Sequence, residues 1–248
     1  MDLIELLKRQ ERLREDYWKN VDYFLPVRLK WRAQMVRHLF HLLPENSLLD
    51  LGSGSCQWTR EISAANGNRN PICAAIFNKE MYEKNQHGSF PENIERIHLD
   101  SFSGKLSERR FDFIVGYQLL TDENAGMLFS ELKGLLKPGG QILLFDPNPW
   151  NPYHKVRRLV SKLFFFFKWA KKNQHFNRFD LSSLLSEIGY IKIKILPYDF
   201  LFPPLPKILL WPMQNLSLIL ENFPYVRNFA GSLFIWAQKP AEENWKRS

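Results

Sequence analysis

Leu48-Leu49-Asp50-Leu51-Gly52-Ser53-Gly54-Ser55-Cys56 decides the fold. The run from Ser47 to Leu51 is short and almost wholly apolar, as a strand buried on both faces requires, and it stops at two glycines that bracket Ser53. From Gln57 the pattern turns helical. Gly52 and Gly54 accept positive φ and place no Cβ between main chain and ligand, while the N–H groups that open the next helix favour anionic or electron-rich groups. Plain packing also uses strand-to-helix turns of small residues, so the glycines alone do not separate a ligand site from a tight corner.

Working outward, strand and helix alternate. Downstream come an apolar strand Ile72 to Ile76, a short helix near Lys79, a strand Ile94 to Leu99, a fourth strand Phe111 to Val115, a helix Glu123 to Leu136, and a strand Gln141 to Phe145 entered through the turn Lys137-Pro138-Gly139-Gly140. This order predicts an α/β fold with a mostly parallel sheet covered on both faces and ligands at the carboxyl ends of the strands. Upstream lie two helical patterns, Leu3 to Asp16 and Arg28 to Leu43, separated by the aromatic connector Tyr17 to Pro26. Further on, a helix capped by Asp180 precedes a strand Ile191 to Leu196, a proline-rich stretch with a short helix around Lys207 to Glu221, and a last strand Ser232 to Ala237. The expected division is a helical cap over 1–45 and a main domain over 46–248, carrying a basic-aromatic insertion at 150–178 and a proline-rich insertion at 199–230.

With 248 residues, 45% of them hydrophobic and 24% charged, the chain can bury a sizeable core, which excludes wholesale disorder. Its two cysteines, Cys56 and Cys73, exclude a disulfide framework and a cysteine metal site, and point to a reducing, cytoplasmic setting. The start, Met1 to Asp16, lacks the uninterrupted apolar stretch of an export signal. The net charge of +8 is local: between Pro147 and Phe179 there are eight basic residues and no acidic one, so the remainder is neutral. Leu163-Phe164-Phe165-Phe166-Phe167 and Trp169 lie inside this segment. A helix over 153–172 would be about 30 Å long with cations spread along it, a poor span but suited to lying on an anionic membrane. The other reading is a core helix with solvated lysines. Pro203, Pro204, Pro206 and Pro212 break the apolar run after Phe200, which reads as a bent cap touching lipid or as a lid on its own domain.

Taken together, residues 46 to 146 resemble the class I S-adenosylmethionine-dependent methyltransferases of the type 11/12-like group. Asp50, Gly52 and Gly54 match the family's first motif, Leu99-Asp100-Ser101-Phe102 its acidic strand end, Phe111-Asp112-Phe113-Ile114-Val115 its fourth strand, and Leu135 to Leu144 the lead into its fifth. The resemblance implies a Rossmann-like seven-stranded sheet with an antiparallel last strand, and S-adenosylmethionine as cofactor. It places the methionine part at Gly52, Ser53 and Gly54 with Asp50 orienting it, the adenine at Asp100, Ser101 and Phe102, and the sulfonium near Gly116 and Tyr117. Two positions depart from the family. Cys56 stands where glycine is frequent, and Ile76 stands where an acid usually meets the ribose, leaving Asn78 or Glu80 as substitutes. A dinucleotide-binding dehydrogenase is disfavoured by the same Ile76 and by Gln57 in place of a third glycine.

Methyl transfer demands alignment of the nucleophile, plus a base where the nucleophile carries a proton. Candidate catalytic residues at the strand ends are Tyr117 and His154, with Asp146 and Tyr153 beside them; Trp31, Arg32 and Trp58 belong to helices that cover the cofactor or fill the core. The expected acceptor is a lipid, lipid-linked or other small molecule, reached at a membrane surface through 153–172. Four consecutive phenylalanines resemble an apolar anchor more than a spaced stacking platform, which counts against a nucleic-acid methyltransferase. The remaining alternative is a methyltransferase-like scaffold without catalysis.

Overall fold

The computed structural model describes residues 2–20, 24–102, 104, 106–152, 177–201 and 207–241. Its helices are α1 (Leu3–Asn20), α2 (Leu25–Phe40), α3 (Gln57–Ala65), α4 (Lys79–Gln86), α5 (Ala125–Leu135), α6 (Arg178–Ile188), α7 (Leu210–Glu221) and α8 (Pro224–Arg227). The strands are β1 (Leu48–Leu51), β2 (Ile72–Ile76), β3 (Ile94–His98), β4 (Phe111–Tyr117), β5 (Leu136–Pro147), β6 (Ile191–Tyr198) and β7 (Ser232–Gln238). They form one sheet in the order β3-β2-β1-β4-β5-β7-β6. β1 to β5 pair in parallel, and β7 runs antiparallel to both of its neighbours. This is the Rossmann-like methyltransferase fold.

The central strands β1 and β2 are buried at every residue, so both faces are covered. Leu128, Phe129 and Leu132 of α5 join Leu181 and Leu185 of α6 in one core, and Leu29, Val36 and Phe40 of α2 join Trp58 and Ile62 of α3 in the other. The edge strand β6 is largely exposed and carries Lys192 and Lys194, which oppose pairing with another chain. α1 belongs to neither face alone. Its Leu3, Ile4 and Leu7 sit in the first core and its Trp18 in the second, so it crosses over the carboxyl ends of the strands.

Several elements differ from expectation. α1 runs four residues past Asp16 and α2 begins at Leu25, with Pro26 in its first turn, so the aromatic connector is shorter. The cap of α6 is Asn177, whose side chain accepts from the Phe179 N–H; Asp180 lies inside the first turn, where its charge favours the helix dipole instead. β5 begins at Leu136, because Leu136 already pairs with Phe111 before the glycine turn. The last strand, β7, is antiparallel as expected, and it lies between β5 and the edge strand β6. The segment 153–172, with Tyr153 and His154, lies outside the described residues, as do 202–206.

Candidate functional site

The glycine turn leaves β1 at the point where the strand order reverses, between β2 and β4. Gly52 has φ +68° and Gly54 φ +51°. A Cβ on Gly52 would stand 2.8 Å from Leu119 Cδ2, so a side chain there would strain the left-handed backbone and push Leu119 aside. Cys56 is also left-handed, at φ +57°, and caps α3 without a side-chain hydrogen bond. That backbone suits glycine better and explains what the departure at this position costs, about 1–2 kcal/mol of local strain. Ser53 ties the turn to β2, its N–H donating to the Ala75 carbonyl at 2.9 Å. Asp50 lies beneath, buried, accepting from the Thr59 hydroxyl, and burial pushes its carboxyl up to about 7.

α1 fills the crevice above this turn. The carboxylate of Glu11 accepts from the N–H groups of Gly54 at 3.0 Å, Phe77 at 3.3 Å and Asn78 at 2.7 Å. Glu15 accepts from the Ser55 N–H at 3.2 Å, and Arg14 donates to the Tyr117 carbonyl at 2.9 Å while pairing with Glu15 at 3.1 Å. All three side chains are buried, and burial raises the Glu11 carboxyl above its ordinary value. A Cβ on Gly54 would collide with the Glu15 carboxylate and lie 2.7 Å from Arg14 Nη2. A carboxylate therefore does stand at the end of β2, where Ile76 left none, but it comes from α1.

A second group gathers at the ends of β4, β5 and β7. The Tyr117 ring meets Trp18 edge-on at 4.9 Å and Trp58 at 6.0 Å, and the Arg32 guanidinium lies over it at 4.1 Å. Arg32 is wholly buried and donates to Asp199 at 2.8 Å and to Ser232 at 2.7 Å, with Arg28 3.8 Å from the same carboxylate. Asp146 accepts from the Leu120 N–H at 3.1 Å through one oxygen, while the other is buried without a partner among the described residues. Burial pushes its carboxyl up to about 7, against the pull of Arg32 and Arg14.

The structure brings Asp50, Gly52, Ser53, Gly54, Asn78, Gly116 and Tyr117 to one crevice. Asn78 caps α4, its side-chain oxygen accepting from the Glu80 N–H at 3.1 Å, and Glu80 is exposed and paired with Lys84. Asp100 is exposed, next to Ser101 and the buried Phe102. Those last two line an open groove of about 420 Å³ together with Leu3, Ile4, Arg110 and Glu131. His154 is outside the described residues. Sequence reasoning missed Glu11, Arg14 and Glu15. The signal was present: positions 4, 7, 11, 14, 15 and 18 share one helical face, with Ile4, Leu7 and Trp18 marking that face as buried and the three charged residues in its middle.

Comparison with known proteins agrees with this architecture. Over 188 residues the chain is 26% identical to a demethylmenaquinone methyltransferase of Staphylococcus haemolyticus, covering 66% of this chain and 76% of that one. A Thermotoga maritima SAM-dependent methyltransferase, described as a possible histamine N-methyltransferase, superposes with a TM-score of 0.58 at 15% identity, covering 96% of this chain and all of that one. Human N-acetylserotonin methyltransferase in complex with SAM gives 0.52 at 17% identity, over 87% of this chain and 56% of that one. The model of the ubiE/COQ5 methyltransferase family matches residues 15–159, more than half of the chain and the whole of the glycine turn, β1 to β5 and the strand ends; the chain belongs to that family.

Proposed function

We propose that the chain methylates an apolar, quinone-like or lipid-like acceptor at an anionic membrane surface, with S-adenosylmethionine as the methyl donor. The observation that carries the reading is the set of N–H groups at Gly54, Ser55, Phe77 and Asn78, which converge on the crevice and are engaged there by carboxylate oxygens. Such a cradle of donors fits an oxygen-rich ligand carrying an anionic end. When bound, the cofactor supplies a methyl group already activated on a sulfonium. Within this reading the amides of Gly52 to Ser55 hold its amino-acid part, with Asp50 stiffening the turn through Thr59. Asp100 accepts from the adenine amino group, Ser101 and Phe102 flank the ring, and Gly116 and Tyr117 border the sulfonium.

On the acceptor side, Trp18, Tyr117 and Trp58 provide aromatic walls that suit a flat apolar ring. Asp146, with a carboxyl pushed up to about 7, is matched to accept a proton near neutrality, beside the candidates Tyr117 and His154. A quinone-like ring is supported by the staphylococcal relative. A membrane setting is supported by two features. Ile208, Trp211, Phe223 and Tyr225 are exposed on or beside α7 and α8, and the eight-cation segment joins the fold next to them, where Asn151 donates to the Phe229 carbonyl at 2.9 Å and Arg178 donates to Asn228 at 3.0 Å. Among the described residues no helix is long and apolar enough to cross a membrane.

The seating of α1 in the crevice, with Ile76 at the end of β2, favours a second reading as a non-catalytic partner protein. One experiment separates the two. Purified protein is titrated with S-adenosylhomocysteine and then incubated with methyl-labelled S-adenosylmethionine and naphthoquinols or phospholipids in anionic vesicles. Binding and label in a ring acceptor are expected. Binding with no label in any apolar acceptor overturns the acceptor class, and absence of binding by both the folded parent and the folded Glu11→Ala/Glu15→Ala variant overturns the enzyme.

A further inference from the structure

The contacts of α1 have the polarity of a bound α-amino acid. An anion, Glu15, sits on the glycine turn at the Ser55 N–H, and a cation, Arg14, sits on the carbonyl at the end of β4. The methionine end of the cofactor offers the same pair, an α-carboxylate and an α-ammonium, on one carbon. Glu11 meanwhile spans the gap between the glycine turn and the end of β2 and takes three N–H groups. The collision a Cβ on Gly54 would make is with these side chains, so the closest approach that the glycine permits is used here by the chain itself.

Two further observations argue that this seat is not simply core. Among the described residues Arg14 Nε and Trp18 Nε1 are buried with no hydrogen-bond partner, as is Trp58 Nε1 across the crevice, whereas permanently packed polar groups are nearly always satisfied. The backbone of α1 also packs less closely on any other helix or strand than α2 does on α3. Over the glycine turn its hold is through the charged side chains of Glu11, Arg14 and Glu15, while Leu3, Ile4 and Leu7 anchor its start and Trp18 its end in the two cores. The strands pair with one another and none pairs with α1, so the sheet's own hydrogen bonds do not depend on this helix.

We propose that α1 is a built-in competitor of the cofactor, and that Glu11, Arg14 and Glu15 set the chain's affinity for S-adenosylmethionine by occupying its donor and acceptor groups. The proposal rests on the methyltransferase reading, and it adds that the cofactor enters only as α1 leaves. Cofactor and α1 are then alternative ligands of the same amides, and the apparent affinity is the intrinsic one reduced by the fraction of molecules with α1 released.

The test compares the parent with the double variant Glu11→Ala/Glu15→Ala, both as full chains. Without ligand, hydrogen exchange over 52–56 and 76–80 is expected to be faster in the variant, because its amides lose their acceptors. S-adenosylhomocysteine should bind the variant at least about tenfold more tightly by calorimetry, the least that loss of charge-assisted hydrogen bonds from the competing helix would give. In the parent, adding S-adenosylhomocysteine should speed exchange across 8–20. Unchanged exchange over 52–56 and 76–80 overturns the seating of α1. Equal or weaker binding by the variant, or slower exchange across 8–20 on adding ligand, overturns the competition while leaving the methyltransferase reading intact. No binding by either protein, with faster exchange in the variant, overturns the cofactor reading and the competition with it. Should the double variant fail to fold, Arg14→Gln, which removes the hold on the Tyr117 carbonyl together with the pairing to Glu15, carries the same comparison, with binding at least about threefold tighter expected.

Discussion

Replacing Asp146 by asparagine should remove a pH dependence of stability that the parent protein carries. The Asp146 carboxyl is buried at 6% exposure, with one oxygen bonded to the Leu120 N–H and the other lacking a partner among the described residues. Burial raises it from 3.8 to about 7 in the folded chain. A group raised in the folded state contributes stability that is complete below its unfolded value and is lost as pH rises through its folded value. Each pH unit below about 7 is worth about 1.4 kcal/mol, so two units between about pH 5 and about pH 7 amount to nearly 3 kcal/mol, and little remains by about pH 8. Asparagine keeps the shape and the acceptor for Leu120 and does not titrate. Urea unfolding followed by tryptophan fluorescence should therefore show the variant gaining about 2–3 kcal/mol on the parent between about pH 5 and about pH 8. Asp50 titrates over the same range in both proteins and cancels in the difference. A difference between parent and variant that stays constant with pH, to within about 0.5 kcal/mol, would show the carboxyl to be solvated and the crevice open, against the closed seat of α1.

Other outcomes follow from the same geometry. Gly52→Ala should cost about 1–3 kcal/mol in thermal unfolding, because φ is +68° and Leu119 Cδ2 stands where the Cβ would go, and it should abolish S-adenosylhomocysteine binding. Asp100→Ala should abolish that binding with the melting temperature unchanged, since Asp100 is exposed; retained binding would remove Asp100 from the site. Arg32→Leu should cost up to about 3–5 kcal/mol by leaving the buried Asp199 with only the more distant Arg28 as its cation, and Arg32→Leu/Asp199→Leu should recover part of it in the same urea assay. Trp211→Glu with Tyr225→Glu should reduce co-sedimentation with anionic vesicles at low salt and leave S-adenosylhomocysteine affinity alone.

Much of the sheet was legible because its strands are buried on both faces and so appear as short apolar runs closed by glycine, proline or acid. β1, β2 and the glycine turn fall within a residue of their expected bounds for that reason. Element ends were harder. Asp180 and Asn177 are both good caps, and local sequence does not choose between them; the helix uses Asn177. The site divided in the same way. The positions of Gly52, Gly54 and Tyr117 at the ends of β1 and β4 were legible because a buried apolar strand closed by small residues fixes them. Glu11, Arg14 and Glu15 were not, since charged residues on an amphipathic helix normally face water, and only the fold shows that this helix crosses the crevice. Arg32 was singled out as part of a helix above the site, but its partner Asp199 lies 167 residues away and nothing local links them.

The place of β7 bears on how the chain is made. β7 lies between β5 and β6, yet it is synthesised after both, with residues 199–231 intervening after β6. At about 5–20 residues per second, that interval lasts roughly 2–7 s, during which β5 has an open edge and β6 has no partner at all. Nascent chain in that window exposes two unpaired strands, and the alternation of β6 with Lys192 and Lys194 provides the only charge on the waiting edge among residues 191–198. Slow translation or a stop before Ser232 should therefore yield a sheet ending at β5 and a loose sixth strand, a species prone to join its neighbours through the gap that β7 normally closes.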